Sequence, residues 1–310
     1  MAISKMMRAV LKALSYPDLD IKKHYSLQRM LVNATNYPLR KSSYKTWDHV
    51  VYSGEHKIPV RIFLSSQQGP HKVLLFFHGG GWVTGSMDSY DNVCATLAEK
   101  MNHTVVSVDY RLAPENRFPA GLEDCYRVAL EIFTKPSLFN VTADQITIIG
   151  DSAGGNLAAA VSLAARDREE FLPTRQILIY PSTFNDHTEQ SPFPSVRENG
   201  TGYLLTAKRI CDYMDLYQSG EEDLQNPYFA PLLASDLSRQ PKTLIITAEY
   251  DPLRDEGEAY GKKLREYGVN VEIHRIPDAL HGFFSLPYLF PQVQESYRLI
   301  HHFLSEEEQT

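Results

Sequence analysis

Apolar positions along the chain alternate between two rhythms. Compact runs rich in β-branched and aromatic residues occur at 50–52, 58–64, 72–77, 104–109, 145–149, 176–181, 242–248 and 271–276, and each reads as a strand. Between them the spacing becomes helical. Val93, Leu97 and Ala98 share one face of a helix at 91–101, and Leu122, Cys125, Ala129 and Ile132 share a second. The alanine-rich segment from Asn156 to Val161, a helix over 254–267 and a closing stripe of Val293, Tyr297, Ile300 and Leu304 continue the series. Strand alternating with helix predicts an α/β fold: a mostly parallel central sheet with helices on both faces and its site along the carboxyl edge. The nearly all-apolar run at 72–77 fits a strand covered on both sides.

Two stretches interrupt that rhythm. Residues 1–45 are helical in pattern, and 183–222 begin polar, pass Pro192 and Pro194 and end in an aromatic-rich helical segment. Both are expected to cap the strand ends, with 46–310 as the catalytic domain and 183–222 inserted in it. The first fourteen positions thread basic residues through an amphipathic pattern, unlike a secretory leader.

Composition narrows the class. A chain of 310 residues, 43% hydrophobic, can bury one large core, and no apolar run approaches the roughly 20 residues of a membrane span. A net charge of -7 argues against nucleic acid or anionic membranes as partners. Cys94, Cys125 and Cys211 are widely spaced and odd in number, the usage of reduced thiols in a cytoplasmic protein. Zinc-protease, Walker and dinucleotide motifs are missing, and His301-His302 with Glu306-Glu307-Glu308 reads as a solvated helix end. No metal or organic cofactor is expected.

The candidate chemistry lies at Gly150-Asp151-Ser152-Ala153-Gly154, where a strand gives way to a helix. The pattern is that of a nucleophile elbow, with the Ala153 N–H free to meet developing negative charge. A serine needs a base, and the base needs an acid to fix its tautomer. In an α/β-hydrolase these follow in the order serine, acid, histidine. Of the histidines after Ser152, His187 falls in the insertion, His274 in a strand, and His301 and His302 on the last helix, which leaves His281 beside Gly282. Asp251 ends a strand before Pro252 and is the preferred acid, with Asp278 second. Asp255 and Glu256 sit in a first helical turn, where the dipole alone accounts for acids. His78-Gly79-Gly80-Gly81 follows the third strand and offers backbone N–H groups to an oxyanion, with His78 itself a packing residue.

Those motifs, together with Asp109-Tyr110-Arg111-Leu112-Ala113-Pro114-Glu115, Asp251-Pro252-Leu253-Arg254-Asp255-Glu256 and His281-Gly282-Phe283, resemble the hormone-sensitive-lipase family of esterases, the bacterial acetyl-esterase-like group. The resemblance implies the α/β-hydrolase fold, Ser152 as nucleophile, His281 as general acid/base and Asp251 as its orienter. It also implies Gly79, Gly80 and Ala153 as oxyanion donors, and a homodimer. Asn116-Arg117 departs from the histidine and proline that relatives often carry there. The expected reaction is hydrolysis of acetyl to butyryl esters through an acyl-serine. An amidase or formamidase on the same triad, and a binding-only receptor, are the alternatives.

Overall fold

A computed structural model describes residues 20–35 and 45–306, so the amphipathic stretch at the N-terminus lies outside the described residues. Eight strands form one sheet: β1 (Thr46–Ser53), β2 (His56–Phe63), β3 (Val73–Phe77), β4 (Thr104–Val108), β5 (Ile146–Asp151), β6 (Arg175–Ile179), β7 (Lys242–Tyr250) and β8 (Val271–Leu280). Their order is β1-β2-β4-β3-β5-β6-β7-β8. The first two are antiparallel neighbours, β2 meets β4 antiparallel, and every other pair is parallel. The chain is an α/β-hydrolase in fold.

Side-chain alternation divides the core between the two faces of this sheet. Val73, Leu75 and Phe77 join a cluster covered by α3 (Ala120–Thr134), α4 (Ala153–Arg168) and α7 (Arg254–Glu266). Leu74 and Phe76 point the other way, toward α2 (Asp91–Met101) and α8 (Pro291–Ser305). This double covering is why β3 is apolar at every position, and all five of its residues are buried. On α4, alanines at 158, 159, 160, 164 and 165 have no more than backbone-sized bulk to offer, so the helix beds closely on the sheet.

Strand order fixes where a site can form. The chain steps outward from β3 to β4, then returns across β3 to β5, so the loops after β3 and β5 diverge from adjacent strands. Their register sets Phe77 opposite Gly150, which brings the start of the glycine loop beside the elbow.

The last strand runs further than its sequence pattern predicts. Pro277 and Asp278 lack strand character, yet a pairing shift between Ala248 and Tyr250 lets β8 continue to Leu280. His281 therefore starts directly from the strand end.

Between β6 and β7 the chain leaves the sheet over residues 180–241, carrying α5 (Pro194–Asn199) and α6 (Ala207–Tyr217). The first described helix, α1 (Ile21–Thr35), packs against α6. Gln28 Nε2 donates to the Tyr213 hydroxyl at 2.8 Å, and Lys22 pairs with Asp215. From its inner face Arg29 donates to the carbonyls of Val83 and Ala113 and to Glu115.

Two acids have duties that the helix dipole does not account for. Glu256 is fully buried; its Oε1 accepts the Thr183 and Phe184 N–H groups, and its Oε2 meets His187 Nε2 at 2.5 Å. Asp255 accepts the Ser195 N–H at 2.8 Å. Together they pin the excursion to the start of α7. Only the fold reveals this, because their partners lie about 60 to 73 positions away.

At the chain's end, His302 Nε2 lies 3.4 Å from Glu306 on an exposed surface. Among the described residues no group of three or more His, Cys, Asp or Glu side chains could hold a metal ion. No described helix is long and apolar enough to cross a membrane.

Candidate active site

Ser152 sits between the end of β5 and the first turn of α4, with φ 55° and ψ −118°. That conformation is costly for a residue with a side chain, and the surroundings hold it. Its N–H donates to Ile179 O at 2.9 Å, and its carbonyl accepts from Asn156 N–H at 3.0 Å. The turn closes only around small neighbours. A Cβ on Gly150 would lie 2.2 Å from Gly154 O, and one on Gly154 would lie 2.0 Å from Phe77 O.

The structure brings the three side chains singled out from sequence into one line. Ser152 Oγ lies 2.9 Å from His281 Nε2, and His281 Nδ1 lies 2.7 Å from Asp251 Oδ2. Asp251 is completely buried, and its other oxygen accepts the Leu253 N–H at 2.8 Å. A carboxylate can only accept, so Nδ1 carries the proton and Nε2 presents its lone pair to the serine hydroxyl. Asn199 Nδ2 steadies the Asp251 backbone through its carbonyl at 3.2 Å, and Tyr180 packs on the imidazole at 4.8 Å between ring centroids. Asp278, the second candidate acid, uses its own N–H to bond Glu249 Oε2 at 2.7 Å, and Asp251 alone of the two meets His281.

The glycine loop departs from expectation at one residue. Gly79 N–H is buried and committed to Asp151 Oδ1 at 2.8 Å, with the Tyr90 hydroxyl at 3.2 Å. Gly79, expected from sequence as an oxyanion donor, thus points its N–H at Asp151 and does not line the cavity. Gly80, Gly81 and Ala153 line the cavity in front of Ser152, Gly81 being the one of the three that the sequence reading did not single out. The signal was present in the run of three glycines, but which two face the cavity depends on Asp151 claiming the first. Gly80 (φ 125°) and Gly81 (φ 61°) both adopt positive φ, which aims the loop inward.

His78 is fully buried, stacks on Tyr110 at 4.3 Å and spends Nδ1–H on Gly79 O at 2.8 Å. Burial pushes its pKa down, so it stays a neutral packing residue. Asp151 is buried too, and desolvation raises its pKa to about 6 against the donors Tyr90, Gly79 and Tyr180. The cavity itself measures about 200 Å³, and Leu204, Leu205, Ile210 and Tyr213 line it from α6 and the segment before it.

Comparison with known proteins identifies the family. Residues 74–285 match the model of a family described by the alpha/beta hydrolase fold. An arylesterase of Saccharolobus solfataricus is 37% identical over 250 residues, covering 80% of each chain. An ethyl acetate hydrolase of Pseudomonas putida is 36% identical over 245 residues, covering 77% of this chain and 76% of its own. The solved structure of a Pyrobaculum calidifontis esterase superposes with a TM-score of 0.88 at 34% identity, covering 99% of this chain and all of that one. With the family model spanning well over half its length and these relatives matched over three quarters of the chain or more, the chain belongs to the hormone-sensitive-lipase-like family of α/β-hydrolases.

Proposed function

We propose that this protein hydrolyses carboxylic esters through an acyl-serine intermediate, with Ser152, His281 and Asp251 as the triad. The observation that carries the reading is the unbroken hydrogen-bond line from Ser152 Oγ through His281 to Asp251 Oδ2. Ser152 Oγ attacks the ester carbonyl carbon while its proton passes to His281 Nε2. The carbonyl oxygen becomes an oxyanion that accepts from the N–H groups of Gly80, Gly81 and Ala153, residues that line the cavity. Nε2 then gives the proton to the departing alcohol oxygen as the carbon–oxygen bond breaks. Water attacks the acyl-serine, yields its proton to Nε2, and the serine leaves with that proton as the carboxylic acid is freed. Asp251 stays ionised throughout and stabilises the transient imidazolium.

The relatives named above carry ester substrates in their names, which favours esters over amides. A cavity of about 200 Å³ is small beside the roughly 300–1,000 Å³ typical of drug-sized ligand pockets, which supports acetyl to butyryl groups as the acyl part. The test is labelling by a fluorophosphonate together with turnover of p-nitrophenyl esters graded in acyl length. Labelling and turnover should both vanish in Ser152→Ala. Wild-type activity in that variant overturns the mechanism, and rates that climb beyond butyryl overturn the acyl preference.

A further inference from the structure

The cavity in front of Ser152 is apolar over most of its cap wall, yet Arg209 of α6 also lines it. Its guanidinium is poorly served there. Nη1 donates to Leu204 O at 2.9 Å, while Nε is buried and has no acceptor. Nearby cations are neutralised: Lys208 by Asp212, and Arg254 by Asp255 and Glu198. Among the described residues no carboxylate pairs with Arg209. A half-buried cation on an apolar wall with a single backbone carbonyl as acceptor is unfavourable alone, and a ligand carboxylate would satisfy the guanidinium through charge-assisted hydrogen bonds.

We propose that the preferred substrates are esters bearing a free carboxylate, which docks on Arg209 while the ester carbonyl faces Ser152. The proposal rests on the ester-hydrolase reading and deepens it by naming the substrate class. Other charges near the cavity do not cancel this. Asp151 also lines it, but its two oxygens are engaged by Gly79 N–H and the Tyr90 and Tyr180 hydroxyls. The net charge of -7 does not steer anions in from a distance, so the selectivity belongs to the bound state and shows in KM.

The experiment compares two carboxylate esters with neutral partners in which a methyl ketone replaces the carboxylate, each followed by proton release at constant pH. Monoethyl glutarate carries the charge on the acyl chain, and γ-acetoxybutyrate carries it on the alcohol. For at least one pair the wild type should favour the carboxylate by roughly 10-fold or more in kcat/KM, expressed mainly in KM. Arg209→Gln should bring that ratio to about one or below, and Arg209→Lys should fall between, since a lysine supplies the charge without the planar fork. The pair that responds identifies the half of the ester that reaches Arg209. A wild-type preference for the ketone in both pairs overturns the proposal, as does a carboxylate preference that survives Arg209→Gln. Failure to cleave any of the four esters would instead overturn the ester-hydrolase reading itself.

Discussion

Gly79 donates its backbone N–H to Asp151 Oδ1 at 2.8 Å, tying the loop after β3 to the residue immediately before Ser152. This bond explains how two backbone segments 72 positions apart hold a common geometry. The nucleophile is fixed by the elbow, and the loop that carries Gly80 and Gly81 is fixed to the elbow by Asp151. Tyr90 and Tyr180 complete the arrangement by donating to Asp151 Oδ2.

Asp151→Ala should therefore damage turnover more than binding. It takes from the buried Gly79 N–H its shorter, charged acceptor and leaves only the Tyr90 hydroxyl at 3.2 Å, at a cost of about 1–3 kcal/mol, and frees the loop to move off the oxyanion position. We expect kcat on p-nitrophenyl butyrate to fall roughly 10- to 100-fold with a small change in KM. Asp151→Asn keeps an oxygen for the Gly79 N–H and should recover most of that loss. Equal damage in the two variants would show that the tether is not what matters.

The same carboxyl group makes stability depend on pH. Burial raises the pKa of Asp151 from 3.8 to about 6, so the folded state binds this proton more tightly than the unfolded chain. Its contribution is fully present below about pH 4 and is lost as pH rises through about 6. Asp151→Asn cannot ionise. Its stability relative to wild type, read from urea midpoints, should improve between pH 4 and pH 7 by on the order of 2–3 kcal/mol. A constant difference across that range would mean that Asp151 titrates normally.

Much of this site is legible in the sequence because its chemistry is written in local patterns. Gly150 and Gly154 bracket Ser152 by necessity of close backbone approach, and His281 and Asp251 stand out because each follows a strand. What stays hidden is whatever depends on partners distant in the chain. Gly79 looks equivalent to Gly80 until Asp151 is seen to occupy its N–H. Glu256 looks like an ordinary first-turn acid until Thr183, Phe184 and His187 converge on it. Likewise β8 gains Pro277 to Leu280 only through pairing with β7, against the local propensity of those residues.

The buried Glu256–His187 pair should be a stability determinant. Glu256→Ala strips an acceptor from two backbone N–H groups and leaves a fully buried imidazole without its partner. Breaking a buried pair from one side typically costs about 3–5 kcal/mol, which should appear as a lowered urea midpoint with an unchanged m-value. Less than about 1 kcal/mol, the level of an exposed pair, would mean that the excursion between β6 and β7 is held without this pair.

Asp251→Asn separates the orienting role of this carboxylate from its bulk. The amide can turn its NH₂ toward His281 Nδ1, which then becomes the acceptor and moves the ring proton to Nε2. A protonated Nε2 points a donor at Ser152 Oγ, and the serine loses its base. By analogy with the same change in another serine hydrolase, kcat should fall roughly 10⁴-fold while the fold persists. Asp278→Asn is the matched control. The carboxylate on His281 Nδ1 is that of Asp251, and the Asp278 backbone N–H to Glu249 is retained by the substitution. Turnover should then change by no more than about 2-fold, the effect of a substitution away from such features. Comparable losses in the two variants would remove Asp251 from its place behind the imidazole.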